Sequence, residues 1–171
     1  KVESSRLTRD DWLDAAFQAV LKGGFDHAKV LSLADALGVT RGSFYWHFAD
    51  HADLIKGLVE RWLGREMQIN QQLQADALDD PQADLEKLLD AALEHAGVQL
   101  ENMRFELALR GLGRRNAEVA QMLADVDQMR MRLFETKFLR LTGDPKAASD
   151  LAALFYLAIV GSYQALSRPN S

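Results

Sequence analysis

Apolar residues recur along this chain at spacings of three and four, and no stretch of useful length alternates as a strand would. Leu13, Ala16, Phe17, Val20 and Leu21 make the first such stripe. Thr8 with Asp11 three residues on has the form of a capping box at its start, and Gly23 and Gly24 end it. A second, shorter helix is predicted over about 30–37, with Leu33, Ala34 and Leu37 on one face. Gly38 follows as a residue free to take a positive φ, Val39 plugs the corner, and Thr40 is placed to cap a third helix over about 41–47. Phe44 and Phe48, four apart, turn inward and leave Arg41, Ser43, Tyr45, Trp46 and His47 on the other sides.

Asp50 and Asp53 open a fourth helix whose apolar positions are Leu54, Ile55, Leu58, Val59, Trp62 and Leu63, and whose pattern continues past Gly64 toward Leu73. The composition between Ala75 and Asp80 is small and acidic, and Asp80 followed by Pro81 is a cap with proline at the first helical position. One stripe follows from Leu85 to Ala96, a less regular one through Met103, Phe105 and Leu109, a long helix capped by Asn116, and a last helix opened by Asp144 and Pro145. Residues 151–160 are all apolar or aromatic, so this helix needs cover on every side. Ala158, Gly161, Ser162 and Ala165 add small residues at helical spacing, which suit a close crossing with the same helix of a second subunit.

The architecture expected is therefore all-α. A helix-turn-helix domain occupies 1–52, and the fourth helix joins it to a helical domain over 53–171. The 171 residues carry a formal net charge of −5, so any positive charge that meets DNA must be placed and not merely abundant. Arg6, Arg9, Lys29 and Arg41 lie in or beside the segments that would approach it, and Asp10, Asp11 and Asp14 can serve the first turns of helix 1. The absence of cysteine excludes disulfides and thiolate metal sites. The opening K-V-E-S-S-R-L-T-R-D-D has no apolar signal segment and the densest apolar run is shorter than the roughly 20 residues a membrane span requires, so a cytoplasmic protein without a membrane partner is expected.

No nucleophile and base, phosphate-cradling loop or carboxylate pair stands out, so no catalytic residue and no cofactor are assigned. His47 and His51 have the spacing of a helical metal site, but the fourth helix starts between them and no H-E-x-x-H is present, so no metal is assigned either. A short helix bearing a guanidinium, hydroxyls and aromatic N–H and O–H groups suits the major groove of DNA. Arg41 can reach guanine O6 and N7 or hold a phosphate, and Trp46 can donate its indole N–H to a phosphate. The alternative reading is a ligand-binding or protein-interaction module in which the helix-turn-helix serves assembly, without operator specificity.

The stretch L-A-D-A-L-G-V-T-R-G-S-F-Y-W-H-F, with a helix before it and an acid-capped helix after it, resembles the TetR family of transcriptional regulators. The resemblance implies a homodimer on a palindromic DNA operator, repression, and release when an unidentified small-molecule effector enters the C-terminal helices. It implies base and phosphate contacts by Thr40, Arg41, Gly42 and Ser43, and backbone contact and helix positioning by Tyr45 and His47. Family members commonly have threonine where this chain has Lys29 and lysine where it has His51, both near phosphates. Lys29 can still neutralise a phosphate, whereas a histidine does so fully only when protonated. The expected effector is apolar or aromatic and sits near Trp62, Met67, His95, Met103, Phe105 and Leu109. The expected dimer interface comprises Val119, Met122, Val126, Leu154, Ala158, Gly161, Ser162 and Ala165.

Overall fold

The computed structural model describes residues 7–97 and 100–166, without the side chains of 95–97 and 165–166. Among the described residues all regular structure is helical: α1 Arg9–Gly23, α2 Val30–Leu37, α3 Arg41–Phe44, α4 His51–Ala75, α5 Pro81–Gly97, α6 Leu100–Gly113, α7 Ala117–Thr142 and α8 Pro145–Leu166, with a 3-10 turn at Phe25–His27. No described helix is long and apolar enough to cross a membrane. The chain divides into two compact units at 63/64, inside α4. The division falls there because Leu54, Leu58 and Trp62 are buried on the first part of the helix, while Glu66 and Asn70 are buried on the second.

In the first unit the local signals act as their chemistry dictates. The Thr8 hydroxyl accepts from Asp11 N, and the Asp11 carboxylate accepts from Thr8 N at 2.6 Å, so two otherwise orphaned donors are satisfied reciprocally. Gly38 takes φ 67° and its N–H bonds back to Ala34 and Asp35, which stops α2 and turns the chain. Trp12, Leu13, Leu33, Phe44, Phe48, Leu54 and Leu58 are buried. Phe44 is their hub, edge-on to Trp12 at 5.3 Å and stacked on Phe48 at 5.2 Å.

The second unit packs Leu85, Leu88, Met103, Leu133, Phe134, Phe138, Ala148, Ala152, Tyr156, Ile159 and Tyr163 into one core. Two clusters of buried charge accompany it. Asp84 on α5 accepts from Lys137 at 3.0 Å, from the Leu78 N–H at 2.8 Å and from Arg140, which ties α5 and its preceding loop to α7. Glu106 on α6 accepts from Arg110 at 2.8 Å and from Arg130 at 3.0 Å; Arg130 reaches on to Glu66 at 2.7 Å, and Arg110 forks onto both oxygens of Asp127. Asp127 also accepts the Tyr156 hydroxyl.

Candidate nucleic-acid interface and effector cavity

The surface that α3 presents follows from what lies beneath it. Burial of Phe44 and Phe48 fixes the rotation of the segment, so Arg41 and Gly42 face solvent, Tyr45 is half exposed, and Trp46 is 76% exposed. A tryptophan left this bare presents a large contact surface and an N–H donor. The regular α-helical turn ends at Phe44 and not at His47. Beyond it the N–H groups of Tyr45, Trp46 and His47 bond three residues back, to Gly42, Ser43 and Phe44, which tightens the end of the element.

Thr40 occupies the cap position by its extended backbone, yet its hydroxyl makes no cap bond, contrary to the sequence expectation. Its carbonyl instead accepts from the Ser43 N–H at 3.1 Å and from the Ser43 hydroxyl at 2.8 Å. The Thr40 side chain is thereby left at the surface, beside Arg41, whose guanidinium lies 3.5 Å from the Tyr45 hydroxyl four residues on. Gly42 is exposed, and a Cβ added to it would meet nothing nearer than the Thr40 hydroxyl at 3.9 Å. The fold does not require a glycine there.

Lys29 is exposed just before α2, and its carbonyl accepts the Leu33 N–H. His51 is engaged differently from the expectation of a phosphate ligand: its Nε2 lies 2.7 Å from the Ala28 carbonyl, so this nitrogen carries the hydrogen and donates to the backbone. In the neutral ring Nδ1 is then an acceptor, which repels a phosphate. His51 therefore fixes the start of α4 to the segment before α2, and only its protonated form could also donate outward. Arg9, one of the charges expected near DNA, stacks its guanidinium 4.9 Å above the Phe48 ring, and a Cβ at Gly57 would come within 2.6 Å of it. The Asp11 carboxyl is held below the usual range by its hydrogen bonds to Thr8.

Residues 13–58 match the profile of the family described as bacterial regulatory proteins, tetR family. The similarity to that family lies in the first unit. The chain is 36% identical over 58 residues to the HTH-type transcriptional regulator TtgR of Pseudomonas putida, covering 34% of this chain and 28% of that protein. It is 30% identical over 125 residues to the HTH-type transcriptional repressor BepR of Brucella suis, covering 72% and 57%. The chain thus spans only part of the length of these curated relatives. The crystal structure of a transcriptional regulator from Rhodococcus sp. Rha1 has the same fold, with TM-score 0.74 and 15% identity over 93% of this chain and 83% of that one. The matched segment contains the residues from Lys29 to His51 that are expected to meet DNA.

Within the second unit a cavity of about 260 Å³ opens between α4, α5, α7 and α8. Its walls are Ile69, Leu73, Leu88, Ala91, Ala92, Leu133, Phe134 and Ile159, with Glu66, Asn70, Glu94, Arg130, Tyr156 and Tyr163 as polar groups. Among the described side chains, none of those expected to form the pocket lines it. Met103, Phe105 and Leu109 are fully packed, Trp62 is buried in the first unit, and Met67 is 55% exposed on another face of α4. The side chain of His95 lies outside the described residues. A signal for the cavity is present in Glu66, Asn70 and Leu73, spaced four and three along α4, but polar residues on a helix ordinarily mark its solvated side.

The proposed dimer residues fall into two groups. Val119 and Val126 are buried within the chain and Met122 partly so, because α7 turns that face toward its own unit, and Ser162 on α8 is also partly buried. Leu154, Ala158 and Gly161 are exposed, in one stripe with Leu157, while the side chain of Ala165 lies outside the described residues. The expectation that α8 needs cover on every side meets a helix with one side covered and one bare.

Proposed function

We propose that the chain is a sequence-specific DNA-binding transcriptional regulator, a homodimer that represses from a palindromic operator and is released by a small molecule. The observation that supports this best is the bare, rigidly backed surface of α3 within the segment that matches the tetR family: Arg41, Gly42, Tyr45 and Trp46 are exposed over a core that holds their backbone in place. An assembly role alone gives no reason for an exposed glycine beside an exposed arginine. Names of relatives supply the direction of control, since BepR is a repressor.

The test is selection of bound sequences from random duplex DNA, followed by titration of the recovered site by fluorescence anisotropy. A palindrome with half-sites about one helical turn apart is expected. Arg41→Ala should weaken binding by about 1–3 kcal/mol and relax preference at one position of each half-site if the guanidinium reads a base. An equal loss on every sequence would reduce Arg41 to a phosphate contact. Recovery of no preferred sequence at all would favour the assembly module.

Gly42→Ala separates fold from function. Because the added methyl has room and alanine favours helix, the melting temperature should hold or rise, with a gain of up to about 1 kcal/mol. Affinity for the operator should fall, since the methyl projects where the DNA backbone approaches. Unchanged affinity would remove the close-approach role of this glycine.

Effector control is placed in the cavity of the second unit, because α4 contributes Glu66, Ile69, Asn70 and Leu73 to its wall and Leu54 and Leu58 to the buried residues of the first unit. A ligand that displaces this one helix can alter the spacing of two recognition helices. By linkage it must bind the DNA-free form more tightly than the DNA-bound form.

A further inference from the structure

We infer that the cavity of the second unit selects a compact organic cation, a protonated or quaternary amine on an apolar body. This rests on the reading of that cavity as the effector site. The charge of its polar end is the reason. Glu66 and Arg130 line the cavity, and they belong to a continuous cluster, buried at Glu66 and Glu106 and partly buried elsewhere, in which three carboxylates, Glu66, Glu106 and Asp127, face two guanidiniums, Arg110 and Arg130. Among these five described groups the carboxylates exceed the guanidiniums by one, in a region of lowered dielectric where a ligand charge counts for more than it does in water.

Arg130 does not offer a ready site for an anion. Its Nη1 donates to Glu106 and its Nη2 to both Glu66 and Glu106, so an anionic ligand would have to compete with carboxylates already in place. Glu66 carries the opposite charge. It is only 6% exposed, it lines the cavity, and it gives Oε2 to Arg130. A carboxylate in the wall of a cavity can accept from an ammonium N–H there, or meet the field of a quaternary nitrogen. The rings of Phe134, Tyr156 and Tyr163 line the same space and favour positive charge at their faces. A volume of about 260 Å³ suits a ligand smaller than most drugs.

The experiment is isothermal titration of the DNA-free full chain at constant pH with 4-phenylbutylammonium, 4-phenylbutanol and 4-phenylbutyrate, which share a body and differ in charge. The ammonium should bind at least about tenfold more tightly than the alcohol, and the carboxylate more weakly than either. Glu66→Gln, which leaves two carboxylates to two guanidiniums, should bring the ammonium and the alcohol to near parity; the wild-type series stands by itself if that variant fails to fold. Equal or better binding of the alcohol or the carboxylate, or binding of none of the three, overturns the inference. Ammonium binding that leaves operator affinity unchanged would instead overturn the effector reading, with the charge preference of the cavity intact.

Discussion

Glu106→Leu is expected to destabilise the second unit by about 3–5 kcal/mol, the usual cost of removing one partner from a buried ion cluster. Glu106 is fully buried and accepts four hydrogen bonds, two from Arg110 and two from Arg130. Leucine fills much of the space but leaves those N–H groups facing a hydrocarbon. Arg110 keeps its fork on Asp127 and Arg130 keeps Glu66, so the unit is weakened and not abolished. Urea unfolding followed by circular dichroism measures the effect. Adding Arg130→Met to Glu106→Leu should restore part of the loss, because the largest penalty belongs to the unpaired guanidinium. A loss under about 1 kcal/mol for the single variant would show that water or a shifted side chain replaces the carboxylate.

The same cluster sets a response to acid. Burial by itself would raise the Glu106 carboxyl, but the charges and hydrogen bonds of Arg130 and Arg110 overcome it and hold the group below its ordinary 4.5. Asp127 is likewise held below 3.8, where burial is outweighed by the Arg110 and Tyr156 hydrogen bonds and the arginine charges. A carboxyl whose pKa is lower folded than unfolded adds stability that is fully present above the unfolded value and is lost as the pH falls through the folded one. Stability of the wild-type second unit should therefore decline as the pH drops below about 4.5. In Glu106→Leu that decline should be shallower, and an identical pH slope in the two proteins would remove Glu106 from the acid response.

The features read correctly from the sequence are those whose cause lies within a few residues. Thr8 and Asp11 cap α1, Gly38 turns out of α2 with a positive φ, and Phe44 and Phe48 point inward because they are four apart. Side-chain commitments over long separations left no such trace. Thr40 has the right residue type for a cap, but Ser43 bonds to its carbonyl and the hydroxyl is not used. His51 meets a carbonyl 23 positions away. Nothing near Glu66, Glu106 and Arg130 in the sequence marks them out, and their pairing arises only where α4, α6 and α7 pack together. Met103, Phe105 and Leu109 have the bulk and polarity of pocket residues, and the packing that encloses them decides otherwise. Space left over in a core is a property of the whole unit and has no local pattern.

Leu157→Glu is expected to convert the protein to a monomer that still folds. Leu154 and Leu157 are 65% and 67% exposed on α8, continuous with exposed Ala158 and Gly161, so a charge at Leu157 disturbs no packing within the chain. In a two-fold interface each substitution acts twice. Losing the burial of two leucines at about 1.5–3 kcal/mol each, and desolvating two like charges in their place, should weaken the dimer by at least about a hundredfold. Gly161→Leu offers an independent approach: its Cβ has nothing within 4 Å, so the single chain accommodates the side chain and only a close helix crossing between subunits would be overpacked. Sedimentation at micromolar concentration should show dimer for the wild type and monomer for both variants, with each variant retaining the helical circular dichroism spectrum of the wild type. Operator affinity should fall in parallel, because two half-sites are then bound independently and the gain from linking them is lost. If both variants sediment as dimers, the bare face of α8 is not the interface and the palindrome must be read through another surface.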